Sequence, residues 1–333
     1  MSSVTINSVR NQVRITEPGR ASLETVAFAP SGPCIDTDYS VVSAGTERSI
    51  LAGTEAWAPL PFVPGYGAVG RVLSGGAALG LADGQRVFTY GKHASQIEPN
   101  GVTVAVPDAV DSRHAALARM AMVAITAQRI KPVELGDRAV VVGAGLVGQF
   151  AAQLLRLQGA RVIVVDVDPE RRAIAEQCGA LATYCGRDPD VVAKITDATD
   201  GGAELVVEAT GITDLVPSAV SMAGPQGTVV LLGSPRSAFS GDARQLLWDV
   251  HAGNSVALRG GIEWQVPPQA HPKRLYKHSL ERNLRIILHL IAHGDVLCEP
   301  LISHVAKPET CQAVYDQVAT GASCWLGVLF DWR

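Results

Sequence analysis

The sequence predicts an α/β protein in which a doubly wound parallel sheet is inserted into a β-rich chain. Three observations carry this. Residues 1 to about 108 break into short apolar runs separated by Gly, Pro, Asn and Asp, whereas between 138 and 260 apolar strands alternate with helical segments. After Gly261 the alternation stops, and helices and one last apolar strand follow. Strands spaced by helices pair in parallel, because a parallel neighbour is reached only through a crossover.

In the first region, runs at 12–15, 39–43, 68–73, 86–89 and 102–106 read as strands. The Ala- and Met-rich stretch 112–129 reads as a helix. Strands follow at 138–142, 161–165, 204–208, 227–232 and 255–259, interleaved with helices that include 146–158, 169–178 and 212–223. A long helix at about 273–293, another at 308–319 and a final strand at 325–330 complete the chain. That strand is rich in apolar and aromatic residues and is expected to return to the first domain. The expected domains are 1–122, 123–262 and 263–333, the first and last forming one body.

At 333 residues the chain can bury two cores, and 47% hydrophobic with 18% charged residues suits a compact enzyme. A net charge of −4 without a basic run leaves no footprint for nucleic acid. Nothing approaches 18 uninterrupted apolar residues, and MSSVTINSVRNQVRI has no apolar signal core, so a cytoplasmic protein with no membrane partner is expected. Six cysteines without any C-x-x-C pair fit neither a disulfide framework nor a zinc knuckle. His289 and His293 share a helix face at ligand spacing, but no third ligand stands near them in sequence.

The stretch AVVVGAGLVGQFAAQLLRLQGARVIVVD, from Ala139 to Asp166, says most about function. It is strand, glycine turn, amphipathic helix, strand and acidic residue, the context that gives G-x-G-x-x-G its meaning. Gly143 permits the turn, Gly145 admits a pyrophosphate, and Gly148 lets helix and strand pack closely. Leu146 and Val147 open the helix whose free N–H groups face the phosphates. Asp166 stands where a carboxylate meets the adenosine ribose and repels a 2′-phosphate, which selects NAD. Arg171, five residues on, is the residue that would favour NADP. Ligands of such sheets bind outside the carboxyl ends of the strands, which places a nicotinamide in a cleft between domains.

These features, with VVSAGTE (41–47), PFVPGYGAVGRV (61–72), GQRV (84–87), VVEATG (206–211) and GTVVLLG (227–233), resemble the medium-chain dehydrogenase/reductase superfamily, the alcohol dehydrogenase-like proteins, over essentially the whole chain. The resemblance implies a Rossmann NAD-binding domain inserted into a GroES-like catalytic domain. It places Thr210 and Gly211 beside the adenosine and backbone groups of Leu232 and Gly233 beside the nicotinamide. It also implies a homodimer built by pairing of strand 256–260 with its symmetry mate. Zinc-dependent members have cysteine at the position of Ala44 and His-Glu at Tyr66-Gly67; their third ligand falls within Arg119 to Met122. Alanine, tyrosine and methionine cannot build that shell, and the four-cysteine zinc loop is absent, so no metal is expected. The SAGTER segment and the ending LISHV…SCWLGVLFDW are similar to a zinc-free branch whose members include the dehydrogenase acting on the hydroxyethyl group of bacteriochlorophyllide.

Without zinc, a side chain must take the hydroxyl proton of a carbinol. Thr46 matches the proton-relaying hydroxyl of zinc-dependent relatives, unless it merely caps a helix beginning near Glu47. Tyr66 replaces a ligand, so its phenol is expected to project into the vacated place; a nearby cation would let it act as base as well as acid. Lys92 and His93 are candidates for that charge, with an exposed loop pair as the alternative. Glu47 matches an outer acid of the family and could simply pair with Arg48 or another base. Trp57, Tyr90, Trp264 and parts of 271–278 are expected to line the substrate site.

Three functions compete. One is a metal-free NAD(H)-dependent oxidoreductase of a secondary alcohol or ketone, on a polar cyclitol- or sugar-like ring or a specialised metabolite. A second is an NAD(P)H-dependent reductase of activated C=C bonds or quinones, against which Asp166 counts. A third is a non-catalytic dinucleotide-binding protein.

Overall fold

The computed structural model describes residues 8–270, 273, 275–321 and 325–333. The chain divides into two compact units, one of 120–265 with 295–301 and the other of 1–119 with 266–294 and 302–333.

The first of these is a six-stranded parallel sheet. Its strands lie in the order Ala182–Cys185, Arg161–Asp166, Arg138–Val142, Ala203–Glu208, Ala223–Leu231 and Ala257–Gly260. Numbered along the chain this is 3-2-1-4-5-6, the Rossmann order, whose switch point lies between Arg138–Val142 and Ala203–Glu208. Burial on both faces explains the unbroken apolar runs; Val140, Val206 and Val229 are wholly buried and pack with Ile195 and Ala219. The helix Leu146–Leu157 buries Phe150, Ala151, Leu154 and Leu155.

The other unit holds a seven-stranded sheet. Its main path runs Ile302–Ala306, Gly327–Asp331, Cys34–Val42, Ala68–Ser74, Arg86–Thr89 and Thr103–Ala105, with Gln96–Ile97 paired to Cys34–Val42. The last strand does return: Val328 to Asp331 pair antiparallel with Val42 to Tyr39. A separate hairpin joins Val9–Glu17 to Arg20–Ala27 around Gly19, whose φ of 78° suits a residue without Cβ.

Several boundaries differ from the sequence expectation. The units divide at 119/120, inside the helix Ser112–Ile130, and 295–301 goes with the nucleotide unit although it falls within the expected 263–333. Buried Gln153 explains that assignment. Its amide donates to the Leu297 carbonyl (3.1 Å) and accepts from the Leu297 N–H (2.7 Å), a two-sided clamp on backbone. The helix expected from 273 begins at Leu280, where the Ser279 hydroxyl caps the Arg282 N–H at 3.1 Å. Residues 271, 272 and 274 lie outside the described residues, as does Cys324. The segment 212–223 is a tight turn, Thr213–Leu215, followed by a short helix, Val216–Ser221. No described helix is long and apolar enough to cross a membrane.

Candidate active site

The nucleotide unit presents its site at the switch point. Gly143 has φ 97°, and a Cβ there would meet the Thr210 methyl at 2.6 Å. A Cβ on Gly148 would fall 1.8 Å from the Gly143 carbonyl oxygen, so helix and turn touch only because it is absent. Gly145 differs. It precedes the helix with φ −65°, and nothing lies within 4 Å of its Cβ position, leaving the approach to the helix N-terminus open. Leu146 is buried and Val147 and Gly145 half-buried at that terminus. This cradle fits a dinucleotide.

Asp166 ends its strand half-buried, with Oδ2 accepting the Ala144 N–H (2.6 Å) and Oδ1 the Asp168 N–H (2.8 Å). A carboxylate has about four acceptor sites, so these two bonds orient the group and leave capacity for hydroxyls. Arg172, not Arg171, reaches the Asp166 carbonyl (2.7 Å); the Arg171 carbonyl accepts from buried Gln149 at 2.8 Å.

Thr210 and Gly211 are held by a residue the sequence reading passed over. Buried Glu208 accepts the N–H groups of Thr210 (2.7 Å) and Gly211 (3.1 Å) and the Thr210 hydroxyl. Burial pushes its carboxyl up, and these three donors pull it back. The available signal was an acid closing the apolar run Leu205 to Val207. The N–H groups of Leu232 and Gly233 both donate to the Glu208 carbonyl at 2.8 Å, so these two can offer a ligand carbonyls rather than donors.

The second site lies wholly within the other unit and grows from one helix terminus. The helix Ala44–Leu51 starts at Ser43, but the Ser43 hydroxyl does not cap it. Instead Glu47 folds back, its Oε1 accepting the Ser43 N–H at 2.8 Å, as in a capping box one residue longer. The Ser43 hydroxyl is thereby left to accept from Tyr66. Thr46 sits inside the first turn, so it is no cap, and its side chain bonds the same phenol. Tyr66 is half-buried. Burial raises its pKa above the ordinary value of about 10, opposed first by Arg119 and then by the Ser43 and Thr46 hydrogen bonds.

Glu47 does not pair with Arg48, which is exposed. It is wholly buried and meets the His93 Nε2 at 3.1 Å and the Tyr315 hydroxyl at 2.6 Å. Burial opposes its ionisation, yet His93, Tyr315 and the Ser43 N–H together hold its pKa below the usual range. His93 is therefore no exposed loop residue. Its backbone bonds Val13 and Pro64, its Nδ1 lies 2.7 Å from the Ser40 hydroxyl, and that hydroxyl accepts the Trp332 indole N–H at 2.9 Å. Lys92 points elsewhere, exposed and 4.3 Å over the Phe62 ring.

Thr46, Tyr66, Glu47 and His93 thus belong to one connected network, with Tyr66 and Thr46 at one end and His93 at the other. The expected cation is neither Lys92 nor His93. Arg119, 4% exposed, lies over the rings of Tyr66 (4.4 Å) and Tyr90 (4.7 Å). Tyr90 is buried, while Trp57 and Trp264 are exposed.

These residues do not fit zinc. The first two ligand positions implied by the family resemblance hold a methyl group and a phenol beside a glycine, and the third falls within Arg119 to Met122, where the Arg119 guanidinium is a fixed cation that repels Zn²⁺. Glu47 and His93 are already bonded to each other, and no group of three His, Cys, Asp or Glu able to hold a metal occurs among the described residues. His289 and His293 are exposed, and the His293 Nδ1 bonds the His289 carbonyl at 2.8 Å.

Residues 147–260 match the zinc-binding dehydrogenase family, a match that does not reach residues 44–119. D-guloside 3-dehydrogenase of Shigella flexneri is 27% identical over 330 residues, 95% of this chain and 91% of that protein. The chain is also 31% identical over 128 residues to (R,R)-butanediol dehydrogenase of Bacillus subtilis (strain 168), a stretch covering 38% of this chain and only 37% of that relative's length. Galactitol-1-phosphate dehydrogenase from Escherichia coli superposes with a TM-score of 0.83 at 16% identity, over 96% of this chain and 99% of that one. A candidate zinc-binding dehydrogenase from Sinorhizobium meliloti 1021, solved bound to NADP, gives 0.81 at 21% identity over 98% of this chain and 100% of that one. The chain has the fold of the medium-chain alcohol dehydrogenases, and its residues 147–260 carry the sequence match to the zinc-binding dehydrogenases.

Proposed function

We propose that this medium-chain protein is a metal-independent, NAD(H)-dependent dehydrogenase interconverting a secondary alcohol and a ketone, with Tyr66 as its acid and base. The observation that carries this reading is the Tyr66 phenol, bonded to Ser43 and Thr46 beneath Arg119 at positions where zinc-dependent relatives have ligands. Hydride exchange at the substrate carbon is the chemistry a nicotinamide dinucleotide supplies when bound. The chain must then manage one proton. In reduction the phenol O–H donates to the nascent alkoxide, and the Ser43 and Thr46 hydroxyls hold the phenolate oxygen that results; in oxidation the proton returns. A neutral phenol is the resting form, as the burial of Tyr66 favours.

Asp166, oriented by the Ala144 and Asp168 N–H groups, supports NAD(H) over NADP(H). A polar ring or polyol substrate is supported by the relatives, which include a guloside and a galactitol-phosphate dehydrogenase. The likeness of the SAGTER segment to a zinc-free branch supports metal independence without naming the substrate. The strand Ala257–Gly260, exposed along its length at one sheet edge, supports a homodimer by edge pairing. Five free thiols among the described cysteines suit a cytoplasmic setting.

Tyr66→Phe is expected to lower kcat at least about tenfold while NADH affinity holds, the scale of a general acid. An unchanged kcat removes Tyr66 from the chemistry, and stoichiometric zinc in the purified protein overturns metal independence. A panel of ketones, activated alkenes and quinones with NADH and NADPH separates this reading from an alkene reductase.

A further inference from the structure

We propose that Arg119 replaces the metal as the fixed positive charge of the site, acting through Tyr66 by holding the phenolate that forms when the phenol gives up its proton. The inference rests on Tyr66 being the acid and base, and it adds the group that makes both directions accessible.

The geometry is specific to an arginine. The guanidinium carbon lies 4.4 Å from the Tyr66 ring centroid and 4.7 Å from that of Tyr90, a planar cation against two aromatic faces. The residue is 4% exposed, so its charge acts through protein and not through water. Room for it comes from Gly67. A Cβ there would lie 2.6 Å from the Arg119 Cβ and 2.7 Å from its Cγ, so any other residue would displace the arginine stem. Tyr66, Gly67 and Arg119 therefore form one unit: the phenol, the space, and the cation that fills it.

Electrostatics point the same way. Among the groups acting on the Tyr66 phenol, Arg119 is the strongest that favours the anion, ahead of the Ser43 and Thr46 hydrogen bonds, while Glu47 disfavours it. Glu47 is answered by its own partners, His93 and Tyr315. Tyr90 shares the guanidinium, and Lys92 lies over Phe62. Among the described residues Arg119 is thus the permanent cation set against the phenol's ring. In the proton step no charge need be created in an unprepared site: O–H breaks at Tyr66, O–H forms on the substrate oxygen, and the negative charge left on the phenolate faces a cation already in place.

Arg119→Met and Arg119→Lys test this through the ionisation of Tyr66 itself. The ultraviolet tyrosinate titration, taken as the difference from the same background carrying Tyr66→Phe, reads that pKa without turnover. Arg119→Met is expected to raise it by about one unit or more, with Arg119→Lys intermediate, since a lysine keeps the charge but not the planar stack. The pH profile of kcat/KM is expected to follow, its basic limb moving up and kcat near neutrality falling at least about tenfold, with NADH affinity kept. Gly67→Ala reaches the same end by moving the arginine and is expected to reproduce the shift. If folded Arg119→Met leaves both the titration and the profile where they were, the inference is overturned. If Tyr66→Phe is fully active, the parent reading fails instead. A profile that shifts in Arg119→Met but not in Arg119→Lys makes charge, and not shape, the operative property and supports the proposal.

Discussion

Removing Glu47 should strongly destabilise its unit, by an amount that can be worked from the bonds it makes. The carboxylate accepts from the Ser43 N–H, the His93 Nε2 and the Tyr315 hydroxyl, all without access to water. Glu47→Ala strands three buried donors at roughly 1–3 kcal/mol each. Members of one network are not additive, so the total is expected at the lower part of that range, about 3–5 kcal/mol. For a cooperative unit of about 150–250 residues each kcal/mol moves Tm by about 2–4 °C, so Tm should drop by roughly 6–20 °C. Calorimetry on the whole chain is the assay, with urea unfolding followed at two wavelengths to resolve the units. Tyr315→Phe removes one donor to the buried carboxylate and is expected to cost about 1.5–3 kcal/mol, the range of a bond to a charged group. In a double-mutant cycle it should couple to Glu47→Ala. A Glu47→Ala protein melting within about 3 °C of wild type would show that the network carries little of the fold's stability, and the reasoning would fail.

Three further outcomes follow from the geometry. Gly145→Ala should fold normally, because nothing lies within 4 Å of the added carbon, yet lose dinucleotide affinity at least tenfold by isothermal titration; Gly148→Ala, 1.8 Å from the Gly143 oxygen, should lose stability as well. Equal effects of the two on Tm would contradict the assigned roles. Asp166→Ala should erode discrimination between NAD and NADP in kcat/KM, and an unaffected ratio would sink the ribose assignment. For pH, Glu47 is held below its ordinary range, so its stabilisation is complete above about pH 4.5 and fades as pH falls through the native value. The Tyr315 phenol is held well above 10, so its contribution is complete below about pH 10 and fades as pH rises. Tm measured across pH should fall at both ends, and Glu47→Gln should flatten the acid limb.

The nucleotide half was legible because its information is local. Strand, glycine turn, helix and acidic residue occupy one continuous stretch, and the predicted strand at 138–142 and helix start at 146 match the observed Arg138–Val142 and Leu146–Leu157. Period and glycine chemistry operate within a few residues, so they survive translation from sequence to structure. What failed there was tertiary in origin. Gln153 recruiting 295–301 joins residues 144 apart, and nothing in either segment announces the other.

The catalytic half was only partly legible, for the same physical reason in sharper form. Residue types at 44, 46, 47 and 66 suggested an emptied metal site, but their partners come from elsewhere: Tyr315 is 268 positions from Glu47, and His93 is 46. Sequence neighbours misled where they were tempting. Arg48 beside Glu47 is exposed, and Lys92 beside His93 lies over Phe62. Arg119 stood in the sequence only as one of the positions where a third zinc ligand would fall, and only the packed structure shows it buried against two tyrosines. Even so, the signal existed. A charged residue in the middle of a run of small apolar ones, opposite a glycine where the family keeps a large acid, is an unpaired requirement in each of two segments. Each explains the other: without Gly67 the arginine does not fit, and without Arg119 the glycine would leave a void beside a phenol that must hold a negative charge.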